Sequence, residues 1–381
     1  MNRLWNIGLA LVTSVTLFGA ASAEEITVGV AGPMTGNEAS FGRQLKNGAE
    51  QAVADINAAG GVLGKQLKLE IGDDVCDAKQ AKSVAEKFAS MKVPFVAGHY
   101  CSSSSIPASE AYNEGNVLQI TPASTNPQFT ERGMWNTFRV CGRDDQQGQV
   151  AGEYIVKHFK NKKIAIVHDK TTYGKGLADE TKKTINKTGM KEVLYEGVNT
   201  GEKDFSALVS KIKQSGADLI YWGGLYTEGG LIVRQMRDQG VKAPLMGGDG
   251  ITSDEFASVG GPGVEGTLMT YGPDPRNKPD AKKVVEEFRA KKFEPEAYTL
   301  YSYAGVQIVK QAAEAAKSLD PKKVAEKMHS GMQFKTVLGD ISYDKKGDIT
   351  KLDYVMYIWK KDPSGKITYV ECPGSDCSKV R

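Results

Sequence analysis

The sequence is 381 residues long, with 49 Lys and Arg against 46 Asp and Glu and 40% hydrophobic residues. That length is about twice a typical domain and favours two lobes with substantial cores. The near balance of charge lacks the basic surface of a nucleic-acid binder, so no nucleic-acid partner is expected.

Residues 1–23 begin Met-Asn-Arg, run through an apolar stretch from Leu9 to Phe18 and end Gly19-Ala20-Ala21-Ser22-Ala23. One positive charge, a short apolar centre and an Ala-Ser-Ala ending describe a secretory signal cleaved after Ala23, leaving a mature chain that starts at Glu24. The apolar stretch is too short for the ~20 residues of a spanning helix. Removing Arg3 with the signal takes the basic count from 49 to 48 against 46 acids. Export also makes disulfides possible.

From Glu25 onward, strand and helix signals alternate. Ile26-Thr27-Val28-Gly29-Val30-Ala31 reads as a strand, Gly32-Pro33-Met34-Thr35-Gly36 as a turn, and 41–58 as a helix stopped by Gly60-Gly61. A strand over 66–71 and a helix over 77–91 follow. Pro94-Phe95-Val96-Ala97 and Asn116-Val117-Leu118-Gln119-Ile120 are apolar runs typical of buried parallel strands. Each leads into small hydroxyl residues: Gly98-His99-Tyr100-Cys101-Ser102-Ser103-Ser104-Ser105 after the first, Thr121-Pro122-Ala123-Ser124-Thr125 after the second. The βαβα order predicts a parallel sheet, and open α/β sheets bind ligands at the carboxyl ends of their strands. The first cluster opens a helix over 103–114, whose unpaired N–H groups and positive dipole end suit a carboxylate or phosphate. Three readings stand for its serines: helix caps, an anion site, or a nucleophile.

Near Arg139 to Arg143 the pattern restarts. Helices are predicted over 147–159, 174–188, 204–214 and 228–239, with strands over 163–168, 192–196, 218–222 and around Leu245-Met246. Tyr271-Gly272-Pro273-Asp274-Pro275 reads as a linker. Helices over 281–291, 296–316 and 321–328 then imply a return to the first lobe. The end is β-like over 339–343, 354–359 and 366–370, with turns at 345–348 and 363–365.

The five cysteines include Cys76 and Cys101, each just past a predicted strand at one edge of the first sheet. Their pairing is the first choice, worth ~3 kcal/mol on loop-entropy arguments. Cys372 and Cys377 would close a tight tail loop, and Cys141 is left as a buried free thiol. No Cys-x-x-Cys or neighbouring His pair supplies a tetrahedral set, so no metal is expected. Phosphate-loop, zinc-protease, hydrolase-elbow and dinucleotide signatures are missing, and no cofactor is expected. His168-Asp169 reads as base and orienter for Ser102 in one alternative, a secreted serine hydrolase, but the pair belongs to the other lobe.

Taken together, Gly48-Ala49-Glu50-Gln51-Ala52-Val53-Ala54-Asp55-Ile56-Asn57, Gly98-His99-Tyr100-Cys101-Ser102-Ser103, Ile120-Thr121-Pro122-Ala123, Ile164-Ala165-Ile166-Val167-His168-Asp169-Lys170, Tyr173-Gly174 and Gly201-Glu202-Lys203-Asp204-Phe205-Ser206 are specific. In them the whole mature chain resembles the periplasmic binding proteins of ABC transporters for leucine, isoleucine and valine. The resemblance implies a type I periplasmic-binding-protein fold. Two Rossmann-like lobes with parallel-sheet cores, 24–142 plus 273–351 and 143–272 plus 352–381, would be joined by a three-crossing hinge. It implies a periplasmic, non-enzymatic, monomeric receptor that closes on a free amino acid and delivers it to an inner-membrane permease. A sensor using the same clamp is the alternative.

By position, the resemblance puts Ser102 and Thr125 on the ligand carboxylate. The Ala123 carbonyl and the Asp249 carboxylate fall on the ammonium, and Tyr173 reaches across from the second lobe. Cys101 and Ser124 flank these residues, and Cys76–Cys101 matches the family's disulfide. Phe41, Tyr100, Leu225, Tyr226 and Tyr298 fall on the side-chain pocket. Asp249 stands where Glu is familiar, Tyr298 where Phe is, and Leu225-Tyr226 replaces a differently ordered aromatic pair. The more polar walls point to a neutral aliphatic amino acid, smaller or more polar than leucine.

Overall fold

The first five apolar runs fold into one sheet whose strands all point the same way. The structure is a computed structural model and describes residues 25–351 and 353–380, so the signal expected at 1–23 lies outside the described residues. Strands β1 (Glu25–Gly32), β2 (Gln66–Asp73), β3 (Phe95–Gly98), β4 (Leu118–Thr121) and β5 (Thr137–Arg139) pair in the order β2-β1-β3-β4-β5. All pairs are parallel, with Ala31 opposite Gly98, Ala97 opposite Ile120 and Thr121 opposite Arg139. Helices α1 (Ala39–Ala58), α2 (Ala78–Ser90), α3 (Ser102–Glu114) and the short α4 (Gln128–Glu131) connect them. Every residue of β3 and β4 is buried; β3 accordingly reads as a continuous apolar run, while β4 also buries the polar Gln119 and Thr121.

A second unit repeats the scheme. Helices α5 (Asp144–His158), α6 (Thr172–Lys187), α7 (Ser206–Ser215), α8 (Tyr226–Asp238) and α9 (Glu255–Gly260) alternate with strands β6 (Ile164–His168), β7 (Leu194–Gly197), β8 (Leu219–Gly223), β9 (Leu245–Gly247) and β10 (Leu268–Tyr271). The chain then returns through α10 (Lys282–Ala290), α11 (Ala297–Ala316), α12 (Pro321–His329) and the hairpin of β11 (Phe334–Thr336) and β12 (Gly339–Ile341). It ends in β13 (Val355–Lys361) and β14 (Ile367–Glu371), which complete a sheet of order β14-β13-β10-β9-β8-β6-β7. The chain thus passes between the two units three times: after β5, after β10 and before β13.

Both sheets have the parallel cores expected, and the second adds an antiparallel edge. β13 pairs antiparallel with both β10 and β14. The tight turn after β13, where the Asp362 carboxylate accepts from the Ser364 and Lys366 N–H groups, leaves no room for the crossover a parallel pair requires. β5 and β11 were not predicted, because the buried Arg139 in the first and the exposed Lys335 in the second break what would otherwise be a short apolar run.

Return of the late helices to the first unit rests on close packing of α11 against α1. A Cβ on Gly48 would lie 2.0 Å from the Thr299 carbonyl oxygen, so only glycine lets the two helices approach this closely. The Gln44 amide then donates to Glu296 and accepts from the Tyr298 N–H, and the Ser302 hydroxyl donates to the Leu45 carbonyl. Tyr298 is thereby fixed at the edge of the first unit that faces the second. Cys76 bonds Cys101, Cys372 bonds Cys377, and Cys141 is free and buried. Among the described residues, no helix is long and apolar enough to cross a membrane.

Candidate functional site

Loops at the carboxyl ends of both sheets meet across a cleft with a cavity of about 240 Å³. Ser102, Cys101, Tyr100, Ala123, Tyr173, Leu225 and Asp249, all singled out from sequence, line it. Hydrogen bonds that cross between the units include Ser40 Oγ to Ser253 Oγ, Tyr226 Oη and Thr227 Oγ1 to the Asn37 carbonyl, Asn126 Nδ2 to the Thr172 carbonyl, Tyr298 Oη to Asp249 and the Asp254 N–H to Glu296.

At the first-unit wall, the serines of α3 are not its caps. The residue before α3 is Cys101, which makes no side-chain cap bond. Instead the Ser102 hydroxyl accepts from the Asn126 N–H at 3.2 Å, the Ser103 hydroxyl donates to the Cys76 carbonyl, and the Ser105 hydroxyl donates to the His99 carbonyl. The first N–H groups of α3 therefore open on the cavity with no side-chain acceptor before them. Thr125 is fully buried, its hydroxyl unpaired, while its carbonyl accepts from the Asp144 N–H. Ser124 turns away from the cavity and donates to the Tyr100 carbonyl and to Ser105 Oγ. The 124–130 loop is fastened from behind by Arg139, which donates to the Ser124 and Asn126 carbonyls and lies 2.7 Å from Asp348.

Asp249, 3% exposed, is held by two phenols: Tyr173 Oη donates to Oδ1 at 2.9 Å and Tyr298 Oη to Oδ2 at 2.6 Å. Burial raises its carboxyl, and the hydrogen bonds from Tyr298, Tyr173 and Gln147 oppose the rise. No Lys, Arg or His stands among the described cavity-lining residues, so Asp249 has no cation of its own there. An ammonium is the group that completes it. Phe41, Tyr226 and Tyr298 lie behind the wall: Phe41 stacks on Tyr100 at 4.2 Å, with Tyr226 and Tyr298 edge-on to Phe41 at 5.2 and 5.7 Å. This aromatic packing limits the room for a ligand side chain.

The hydrolase alternative needed a base beside Ser102. His168 Nδ1 accepts from the Lys170 N–H, and His99 is buried between Asp74 and Tyr112. Neither ring is hydrogen-bonded to Ser102, whose hydroxyl meets the Asn126 N–H.

Sequence reasoning missed the acidic part of the wall. Glu38, Thr200, Gly201 and Glu228 also line the cavity, and Asp144 and Gln147 stand behind Thr125 and Asp249. Thr200, Gly201 and Glu228 follow β7 and β8, so the rule of strand carboxyl ends that marked the serines would have marked them as well.

Asp169 illustrates the cost of this burial. Its Oδ1 accepts the N–H and hydroxyl of Thr171 while Oδ2 is unpaired, and burial pushes the carboxyl up to about 7. The unfolded value is about 3.9. Because the folded value is the higher one, its contribution to stability is complete below about pH 4 and is lost as pH rises through about 7. Glu296, also pushed up to about 7 by burial, acts in the same direction. The thermal midpoint of the ligand-free protein should therefore fall between pH 5 and pH 8, and fall less in Asp169→Asn. Scanning calorimetry at the two pH values checks this, and an identical fall in the variant would refute it.

Comparison with known proteins agrees with this architecture. A family model described as periplasmic binding protein matches residues 25–364. A "Leu/Ile/Val-binding protein homolog 1" of Brucella melitensis is 58% identical over 364 residues, 96% of this chain and 98% of that one. An "Amino acid binding protein" of Pseudomonas aeruginosa is 54% identical over 358 residues, 93% of this chain and 95% of that one. Among solved structures, the leucine-binding protein LivK of Thermotoga maritima superposes with a TM-score of 0.83 at 30% identity, covering 91% of this chain and 97% of its own. LivJ of Streptococcus pneumoniae, in complex with isoleucine, gives 0.81 at 27% identity over 92% of this chain and 100% of its own. With two units, three crossings and a cleft between them, the chain belongs to the periplasmic binding protein family, in the group of the Leu/Ile/Val-binding proteins.

Proposed function

We propose that this protein is the periplasmic receptor of an amino-acid ABC importer, binding a neutral aliphatic amino acid as a zwitterion between its two lobes. The observation that carries the reading is Asp249, buried, raised in pKa and without a cation, on the same cavity as the start of α3. Both charges of a zwitterion entering a dry cleft must be paired, since an unpaired buried ion costs several kcal/mol. The start of α3, with Ser102 and Thr125, takes the carboxylate; Asp249 and the Ala123 carbonyl take the ammonium, and Tyr173 orients Asp249. Phe41, Tyr100, Leu225, Tyr226 and Tyr298 bound the aliphatic part and favour a side chain smaller than leucine's.

Sheet membership supports lobes of 24–142 plus 273–351 and 143–272 plus 352–381, hinged at the crossings. Export by a signal cleaved after Ala23, a monomeric receptor and delivery to an inner-membrane permease complete the proposal. Calorimetric titration of the mature protein, refolded to strip bound ligand, against leucine, isoleucine, valine, alanine, proline, glutamate and γ-aminobutyrate tests it. Tight one-to-one binding of a neutral member is expected. Silence across the panel would remove the function and leave the fold.

A further inference from the structure

The segment joining β1 to α1 meets the start of α8 across the cleft. The Asn37 carbonyl accepts from Tyr226 Oη at 2.7 Å and from Thr227 Oγ1 at 3.0 Å. The next residue, Glu38, is 7% exposed, lines the cavity, and its Oε2 has no hydrogen-bond partner. Glu228, on the first turn of α8, is 2% exposed and lines the same cavity, its Oε1 accepting the Gly201 N–H at 2.8 Å. Asp169, just past β6, is buried in the same unit as Glu228. Contact between the units thus makes two hydrogen bonds at Asn37 and, one residue on, sets a carboxylate of the first unit against two of the second. Burial, and then the charge of Glu228, raise Glu38 well above the usual carboxylate range; Asp169 adds to the rise, and Lys203, exposed on the loop after β7, opposes it. Tyr100 and Tyr226 lie within electrostatic reach of Glu38, and Asp249 within reach of Tyr100.

A buried carboxylate with an unpaired oxygen and like charges beside it costs free energy that a proton removes. In an opened cleft Glu38 is parted from both acids and titrates as an ordinary glutamate, near pH 4.3. We propose that Glu38 is a proton switch in the clamp: as the lobes close on a neutral amino acid it meets Glu228 and Asp169 and takes up a proton, and loss of that proton favours opening and release. This rests on the amino-acid clamp reading above and leaves its neutral ligand unchanged. The closed form holds the proton more tightly, so the proton favours closure. Its contribution is complete below about pH 4.3, the open-cleft value, and is lost as pH rises through the higher value of the closed cleft. Asp249 works in the opposite sense, because an arriving ammonium lowers its raised carboxyl and a proton leaves. The difference between the natural chain and a Glu38 variant therefore reads the switch.

The test is calorimetric titration of the refolded mature protein with leucine, isoleucine, valine, alanine, proline and γ-aminobutyrate at pH 7, in phosphate and in Tris. The two buffers give up protons with different heats, so the difference in binding heat counts the protons taken up. With the tightest of these ligands, the natural chain should take up at least roughly half a proton more than Glu38→Gln. Between pH 6 and pH 8 it should lose at least fivefold in affinity relative to Glu38→Gln, against a ceiling of about tenfold per pH unit for one linked proton. Glu228→Gln, whose amide oxygen still accepts the Gly201 N–H, should shrink both differences. Equal proton uptake by the natural chain and Glu38→Gln overturns the switch and leaves the clamp standing. Uptake that persists in Glu38→Gln but vanishes in Asp169→Asn puts the proton on Asp169 and likewise overturns it. Binding of none of these ligands overturns the clamp reading and the switch with it.

Discussion

Asp249→Ala is expected to weaken amino-acid binding about a hundredfold. Removing one partner of a buried hydrogen-bonded charge pair costs about 2–5 kcal/mol, and a factor of ten corresponds to about 1.4 kcal/mol. Both Asp249 oxygens are held by phenols, so its carboxylate is fixed in place where alanine offers no acceptor. The empty protein should respond in the opposite sense. Because burial raises the Asp249 carboxyl, the empty closed site stores an unfavourable charge, so Asp249→Asn should leave the ligand-free thermal midpoint at or above that of the natural chain. Titration calorimetry and thermal scans of the same variants separate these effects. Affinity within threefold of the natural chain would sink the assignment of Asp249 to the ammonium.

Arg139→Met is expected to be the most destabilising single change at the hinge. The guanidinium is fully buried beneath the 124–130 loop. It donates to the Ser124 and Asn126 carbonyls and to Thr130 Oγ1, and it pairs with Asp348. Asp348 is shared with Arg143, 2.8 Å away, and accepts from Thr130, so a single network ties the ligand loop, the first crossing and the 344–348 turn together. Methionine fills much of the volume but leaves two carbonyls and part of a carboxylate unpaired, a loss of about 3–5 kcal/mol. At about 2–4 °C per kcal/mol for a unit of this size, the midpoint should fall by roughly 6–20 °C. Ligand affinity should fall with it, because Thr125 hangs from the same loop. A fall below about 3 °C would show that Arg143 alone sustains the network.

Much of the architecture is legible in the chain because its signals are local. The buried run Phe95–Gly98 is apolar at every position, Leu118–Thr121 carries Leu118 and Ile120 with buried Gln119 and Thr121 between and after them, and α1, α2 and α11 show helical periodicity over several turns. The serine and threonine clusters could be placed at strand ends before any coordinates, because a parallel sheet puts those ends on one edge. β5 and β11 were unreadable, since Arg139 in one and Lys335 in the other place a charge inside a three-residue strand. The antiparallel edge of β13 and β14 depends on which strand the chain meets after its third crossing, a long-range choice.

By itself, the sequence determined the α/β alternation, the two-unit organisation, the Cys76–Cys101 pairing and the placing of Ser102, Ser103 and Ala123 at the strand ends that line the cavity, each encoded within a few residues or at strand ends. Tertiary structure alone decided what surrounds Asp249 and what shares its cavity. Tyr173 and Tyr298 lie 76 and 49 residues from Asp249 along the chain. Tyr173 meets it because β6 and β9 flank β8 in the second sheet, and Tyr298 because α11 packs on α1 through Gly48. Glu38 and Glu228 belong to different units, and nothing local to either one predicts the other; only closure of the cleft brings the pair together in one low-dielectric cavity, where charge becomes decisive.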